Sequence, residues 1–425
     1  MWGVVARRCG TAMNASSDSR VTRRCHRSGQ LKRVLVVLAL SMTGLASMGS
    51  GCGADLDAPG ELGGLAEYRV VPQWSADGTK IAFSRPWVGA FMVEADGSRM
   101  WSLPPDASVG PSPYGGFTPR NFSPAISPDG ARVAFAMVVS SGSSDLVTSN
   151  LDGSDVRKLA DNRTMDAHPT WSPDGAHVVF YSDSYPDHQT SGLWIIDSDA
   201  SNLRRLDVPV RPSPHPPTWS PSGDYIGFVA VQVDRVPEGE SYRSVWRDIA
   251  YTVGPDGSGL AELGDAVSTP AWSPDGTRIA LVRALGGEEN KRHALYTMNP
   301  DGSDQREILS FDWDDYAWYD TLAWSPDGTE ILYGSSSSRS DRSIVVVTVE
   351  SSEVRTVGEF PGSRQRTAAW SPDGRRIAFY VNFGVGIWVD PEEANVVLLT
   401  VARDGSDRRI LVRENEDRLV AVKSD

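Results

Sequence analysis

With six histidines and three cysteines in 425 residues, this chain offers few groups for metal or thiol chemistry. His168 and His215 stand just ahead of Trp171 and Trp219, and Asp320 holds a matching place ahead of Trp324. Two imidazoles and a carboxylate form a donor set suited to zinc or manganese. The histidines are out of register by one residue, however, so ordinary buried rim positions are the simpler reading. Arg366, Phe122 and Ser268 occupy equivalent places ahead of other copies of the same motif. A second candidate is the run Phe311-Asp312-Trp313-Asp314-Asp315-Tyr316-Ala317-Trp318-Tyr319-Asp320. Within it Trp313, Asp314, Asp315, Tyr316, Trp318, Tyr319 and Asp320 could stack on sugar rings or alkyl stems and accept hydrogen bonds from hydroxyl or ammonium groups. Packing of those rings onto the neighbouring strands is the alternative.

Other chemistries find no support. No Gly-x-Ser-x-Gly nucleophile elbow, His-x-His, Cys-x-x-Cys, phosphate-cradling glycine loop or EF-hand loop occurs. No catalytic residue and no cofactor are therefore expected.

The elements that position these residues come from a repeat. Trp74-Ser75-Ala76-Asp77-Gly78 returns as Ile126-Ser127-Pro128-Asp129-Gly130, Trp171-Ser172-Pro173-Asp174-Gly175 and Trp219-Ser220-Pro221-Ser222-Gly223. It returns again as Trp272-Ser273-Pro274-Asp275-Gly276, Trp324-Ser325-Pro326-Asp327-Gly328 and Trp370-Ser371-Pro372-Asp373-Gly374, at spacings of 45 to 53 residues. Proline presets φ for a turn and glycine supplies a positive φ, so each copy reads as strand, tight turn, strand. The second strand is a short apolar run such as Ile81-Ala82-Phe83 or Val178-Val179-Phe180. A second hairpin follows, as in Leu146-Val147-Thr148 before Asp152-Gly153, and Asp-Gly between β-prone runs is a strong hairpin signal. Seven such four-stranded antiparallel units predict an all-β chain folded as a seven-bladed β-propeller. Proline two residues ahead of the anchor in five copies (Pro72, Pro124, Pro169, Pro217, Pro270) marks the first strand as an edge strand. The tryptophans are expected to wedge between blades.

These motifs resemble the PD40, WD40-like repeats of TolB-type propellers over about residues 67–415. Such repeats also serve the propeller halves of prolyl-oligopeptidase-type peptidases and some polysaccharide lyases. The resemblance implies an architecture and leaves the activity open. Neither the α/β domain of TolB nor an α/β-hydrolase domain is expected in this sequence.

Residues 1–51 read as a signal peptide: Arg23, Arg24, Arg27, Lys32 and Arg33 precede the apolar stretch Val34–Leu45. Met48-Gly49-Ser50-Gly51-Cys52-Gly53 resembles a bacterial lipobox, which implies lipidation of Cys52, with Gly49 departing from the usual aliphatic residue. Residues 52–66 would form a flexible tether, and 416–425 a C-terminal tail. The net charge of the chain is −14. The leader holds eight Lys or Arg and one acid, so beyond it 33 basic and 54 acidic residues remain, a net of −21. That surface repels nucleic-acid phosphates.

Short turns should gather on one face, and long connections on the other: 104–123, 181–192, 229–247, 284–293, 310–320 and 381–386. Variable loops on a rigid scaffold are where binding residues concentrate. The resulting expectation is an exported, lipid-anchored monomer in the periplasm or at the outer membrane or cell surface. It would bind an envelope protein or glycan without being an enzyme. The rival is a metal-assisted polysaccharide lyase or hydrolase using His168, His215 and Asp320 at the channel mouth.

Overall fold

The computed structural model describes residues 71–85, 89–103, 123–138, 144–160, 164–183, 191–208, 211–212, 215–238, 241–285, 292–312, 321–336, 342–360, 363, 365–382, 396–415 and 418–421. All regular structure among them is β. The first sheet runs β1 (Gln73–Trp74), β2 (Lys80–Arg85), β3 (Gly89–Glu94) and β4 (Met100–Leu103), in that order across the sheet. Next come β5 (Ala125–Ile126), β6 (Arg132–Val138), β7 (Ser144–Asn150) and β8 (Arg157–Ala160). A single parallel pair, Ser144 with Met165, joins this set to β9 (Met165–Trp171), β10 (His177–Asp183), β11 (Gly192–Asp197) and β12 (Arg204–Arg205).

The third sheet holds β13 (Arg211–Pro212), β14 (Thr218–Trp219), β15 (Ile226–Glu238), β16 (Ser241–Val253) and β17 (Ala261–Asp265). The fourth holds β18 (Ala271–Trp272), β19 (Ile279–Leu285), β20 (Arg292–Met298) and β21 (Arg306–Asp312). The fifth holds β22 (Leu322–Trp324), β23 (Glu330–Ser336), β24 (Arg342–Thr348) and β25 (Val354–Glu359). The last holds β26 (Gln365–Trp370), β27 (Arg376–Asn382), β28 (Val396–Ala402), β29 (Arg409–Asn415) and β30 (Arg418–Ala421). Residues 418–421, set apart in the sequence as a tail, thus add an outer strand to the last sheet.

The apolar runs of the second strands are explained by burial on both faces. Ile81 and Phe83 pack with Ala378, Tyr380, Leu398 and Val412 of the last sheet, whereas Ala82 between them packs with Val133, Phe135 and Val147. Val178 and Phe180 join the cluster of Leu146 and Leu159, while Val179 and Tyr181 join that of Phe228 and Val253. Side chains alternate across a strand, so successive residues meet opposite neighbours. The core is therefore divided among the joints between successive sheets. Removing a fully buried ring such as Phe83 to alanine would cost about 3–5 kcal/mol.

The last sheet packs on the first, and the indole Nε1 of Trp74 donates to the carbonyl of Ala369 at 3.3 Å. Among the described residues no strand passes between those two sheets, so side chains close the ring.

Proline limits several of the inner strands. β1, β5, β14 and β18 follow Pro72, Pro124, Pro217 and Pro270 and hold two residues each; β22 and β26, with no such proline, hold three and six. A proline has no N–H for the ladder, so pairing stops there. Pro169 lies within β9 at a break in register, where Thr170 faces Val179 but Ala167 faces Tyr181. The larger departure is 229–247, expected as a loop. Its residues complete two thirteen-residue strands in continuous register, from Ile226–Val253 to Glu238–Ser241.

Candidate functional site

The two turns of each unit lie at the same end, as backbone bonds from Ala95 to Thr79 (2.8 Å) and from Arg403 to Arg375 (2.8 Å) show. This end is saturated. Ser75 Oγ donates to Asp77 Oδ1 at 2.6 Å and accepts the Lys80 amide at 2.9 Å, while the Thr79 amide and hydroxyl reach the same carboxylate at 2.9 and 2.8 Å. The Ser75 hydroxyl, then Thr79, lowers the Asp77 pKa to about 2. Asp129, Asp174, Asp275 and Asp373 are lowered in the same way, each first by the serine two residues ahead. These acids are occupied by their own turns, the local role their position suggests.

A second set of contacts ties the outer turns. Arg132 Nη1 reaches Asp155 Oδ2 at 3.0 Å, Arg376 Nη1 reaches Asp407 Oδ2 at 2.6 Å, and Arg278 pairs with Asp304. Asp155, Asp304 and Asp407 all have positive φ, a cost these arginine contacts help to hold. His177 takes the arginine's place beside Asp197, at 2.8 Å. In the fifth sheet the charge is reversed. Glu330 accepts from Arg355 and from Arg403 of the last sheet, each at 2.9 Å, and Arg403 also binds Asp327 at 2.6 Å.

The residues expected at a channel rim lie ahead of these turns in the chain. His168 is buried in β9 with φ of +55°, and its Nδ1 lies 3.3 Å from Ser123 Oγ. The break in register explains that backbone: His168 and Pro169 together span the place of Phe180 on the partner strand. His215 is also buried, with Nε2 3.9 Å from Asp248 Oδ2. The two histidines thus engage different partners on different sheets. Arg366 lies in β26 opposite Val381. Trp313, Asp314, Asp315, Tyr316, Trp318, Tyr319 and Asp320 lie outside the described residues, as does Cys52. Among the described residues no group of three His, Cys, Asp or Glu is placed to hold a metal ion.

Two features went unrecognised in the sequence. Asp166 is buried beside three hydroxyls: Thr164 and Ser182 donate to its Oδ1 at 2.9 and 2.7 Å, and Ser144 donates to its carbonyl at 2.7 Å. Nearby in the same sheet, buried Asp145 pairs with Lys158 Nζ at 2.8 Å. Polar residues alternating with apolar ones along β9 were the available signal. The other feature is the ribbon of β15 and β16. Among the described residues neither strand has a further partner strand beyond Val231 and Asp248, so Gln232–Glu238 and Ser241–Arg247 extend as a two-stranded arm. At its base Arg247 bonds Asp234 at 2.8 Å and Asp265 at 3.1 Å. Toward its tip Tyr242 is 70% exposed and Val236 42%.

Comparison with known proteins places this geometry. Residues 64–237 match the family described as the TolB beta propeller domain, PD40. The fold is a β-propeller. The propeller domain of the Trilobed protease from Pyrococcus furiosus, described as having an open velcro topology, superposes with a TM-score of 0.53 at 14% identity, over 82% of this chain and 99% of that one. An oligogalacturonate lyase in complex with manganese superposes with a TM-score of 0.51 at 14% identity, over 73% and 84% of the two chains. In sequence, the uncharacterized peptidase YuxL of Bacillus subtilis is 27% identical over 217 residues, 50% of this chain. The matched segment spans only 29% of that protein's length. Propellers that share this architecture therefore sit in proteins of different kinds, and identity at this level speaks for the fold alone.

Proposed function

We propose that the chain is an exported, lipid-anchored envelope scaffold: a propeller of seven four-stranded blades that binds a protein or glycan partner at its loop-bearing end and is not itself an enzyme. The observation that carries this reading is the ribbon. A two-stranded arm that pairs with no third strand among the described residues is marginal in water, and an exposed tyrosine near its tip adds little to the fold. Both are accounted for if a partner covers the arm. The turn-bearing end supports the same assignment, because its carboxylates are held by their own turns or by paired arginines. An acidic, rigid ring lowers the ordering cost of binding and suits a partner with basic or hydroxyl-rich groups.

A photo-crosslinking residue in place of Tyr242, used in intact cells, tests the reading. A discrete protein or glycan adduct is expected, and with the crosslinker kept at position 242 it should weaken severalfold when Val236, exposed on the same arm, is changed by Val236→Asp. Recovery of abundant bystanders alone, unchanged by that substitution, would reject it. The enzyme alternative needs His168 and His215 to leave Ser123 and Asp248 for a metal shared with Asp320. Stoichiometric zinc or manganese in purified protein, lost on His168→Ala or His215→Ala, would favour that alternative.

A further inference from the structure

Two latches recur where successive sheets meet. In the first, an inner-strand indole donates to the carbonyl one residue ahead of the preceding anchor: Trp171 to Ala125 at 2.9 Å, Trp219 to Thr170 at 3.2 Å, Trp324 to Ala271 at 3.0 Å. Where the indoles of Trp272 and Trp370 lack this bond, Thr218 Oγ1 donates to Pro270 O, and Thr321 Oγ1 accepts the Ala368 amide, each at 2.8 Å. In the second latch, the glycine of one turn faces the proline ring of the turn before it. A β-carbon placed on Gly175, Gly223, Gly276, Gly328 or Gly374 would lie 3.5–3.8 Å from Pro128, Pro173, Pro221, Pro274 or Pro326.

The seam between the last and first sheets carries both latches, through Trp74 with Ala369 and Gly78 with Pro372 at 3.8 Å. One joint carries neither. Between β1–β4 and β5–β8, Ile126 stands in place of tryptophan and Ala76 in place of proline. A β-carbon on Gly130 would meet nothing within 4 Å. The inner strands are instead linked by Gln73, whose Oε1 accepts the Ile126 amide at 2.6 Å. Farther out, the Trp101 indole donates to Leu151 O at 2.8 Å.

We propose that the ring yields at the joint between β1–β4 and β5–β8, and not at the seam where first and last sheets meet. Among the described residues the two sets share no ladder, so parting them breaks no strand pairing described there. Opening there changes the spacing of the loops on either side and gives the rim two widths. An apolar cluster of Ala82, Met92, Leu103, Ile126, Val133 and Phe135 restores the closed state. Such a joint belongs to the sub-global openings that cost less than unfolding the whole domain.

Native-state hydrogen exchange on the full chain tests this. The Ile126 amide should exchange before the Ala368 amide, which Thr321 holds across another joint, and before the Trp74 indole at the seam. Ala76→Pro and Ile126→Trp rebuild the missing latches, and each should slow exchange at Ile126 about two- to fivefold while leaving Ala368 unchanged. Ala76→Pro alters a turn position that proline already fills in the other copies, so it keeps the test open if the bulkier Ile126→Trp does not fold. The proposal is overturned if the Trp74 indole exchanges first or if the three probes exchange together. It is equally overturned if a folded Ala76→Pro protein shows no slowing at Ile126.

Discussion

Trp74 and Ala369 lie 295 positions apart in the chain, yet the indole of one donates to the carbonyl of the other at 3.3 Å. This bond, with the packing of Phe83 against Tyr380 at a ring separation of 6.4 Å, marks where the ring closes on itself. Trp74→Phe keeps most of the ring volume and removes the donor. It should lower the unfolding free energy by about 0.5–1.5 kcal/mol in urea denaturation. Trp74→Ala, which also opens a cavity, should cost about 3–5 kcal/mol.

Glu330 is the hub of a charge-reversed contact between the last two sheets, receiving Arg355 and Arg403 while Arg403 also stacks 5.5 Å from the Trp370 ring centre. Glu330→Gln leaves two arginines facing each other without their shared carboxylate. A loss of about 1–3 kcal/mol is expected, between the values for exposed and buried pairs. A double-mutant cycle with Arg403→Gln should return a coupling of about 1 kcal/mol.

Stability should fall in acid through the turn carboxylates. Asp77 titrates at about 2 in the fold against an ordinary 3.8, because the Ser75 hydroxyl and Thr79 hold its charged form. A carboxyl lowered on folding contributes fully above its unfolded pKa and loses that contribution as pH falls through the folded one. The denaturation midpoint should therefore drop between about pH 4 and pH 2, and Asp77→Asn should make the drop shallower.

His293 acts over a higher range. Burial pushes it down to about 4 from 6.5, so the unfolded chain takes up its proton first as pH falls. Its contribution is complete above pH 6.5, declines from there to about pH 4, and then stays constant. His293→Gln should flatten the stability profile between those limits, whatever it does to the absolute value.

The repeat made much of this architecture readable before any coordinates. Ile81-Ala82-Phe83 and Leu146-Val147-Thr148 fall inside β2 and β7, and the Asp of each turn bonds its own backbone as its place implies. The ribbon was not readable, because Pro237 and the run Glu238-Gly239-Glu240 carry loop chemistry. Cross-strand pairing, begun in the sheet at Ile226 and Val253, carries the strands through Pro237 to Glu238 and Ser241. His168 is another case: its type and position could be seen, but its positive φ arises from the mismatch in length between β9 and β10. The hydroxyls around Asp166 come partly from Ser144 and Ser182 on other strands, which the alternation along β9 alone does not encode.

Every sheet draws its strands from one uninterrupted stretch of chain, with the parallel Ser144–Met165 pair as the sole cross-link among the described residues. The polypeptide can therefore assemble progressively during synthesis, each unit resting on the one before. Among the described residues each antiparallel ladder is complete within its own stretch, so a cut at a link between units would break none of them.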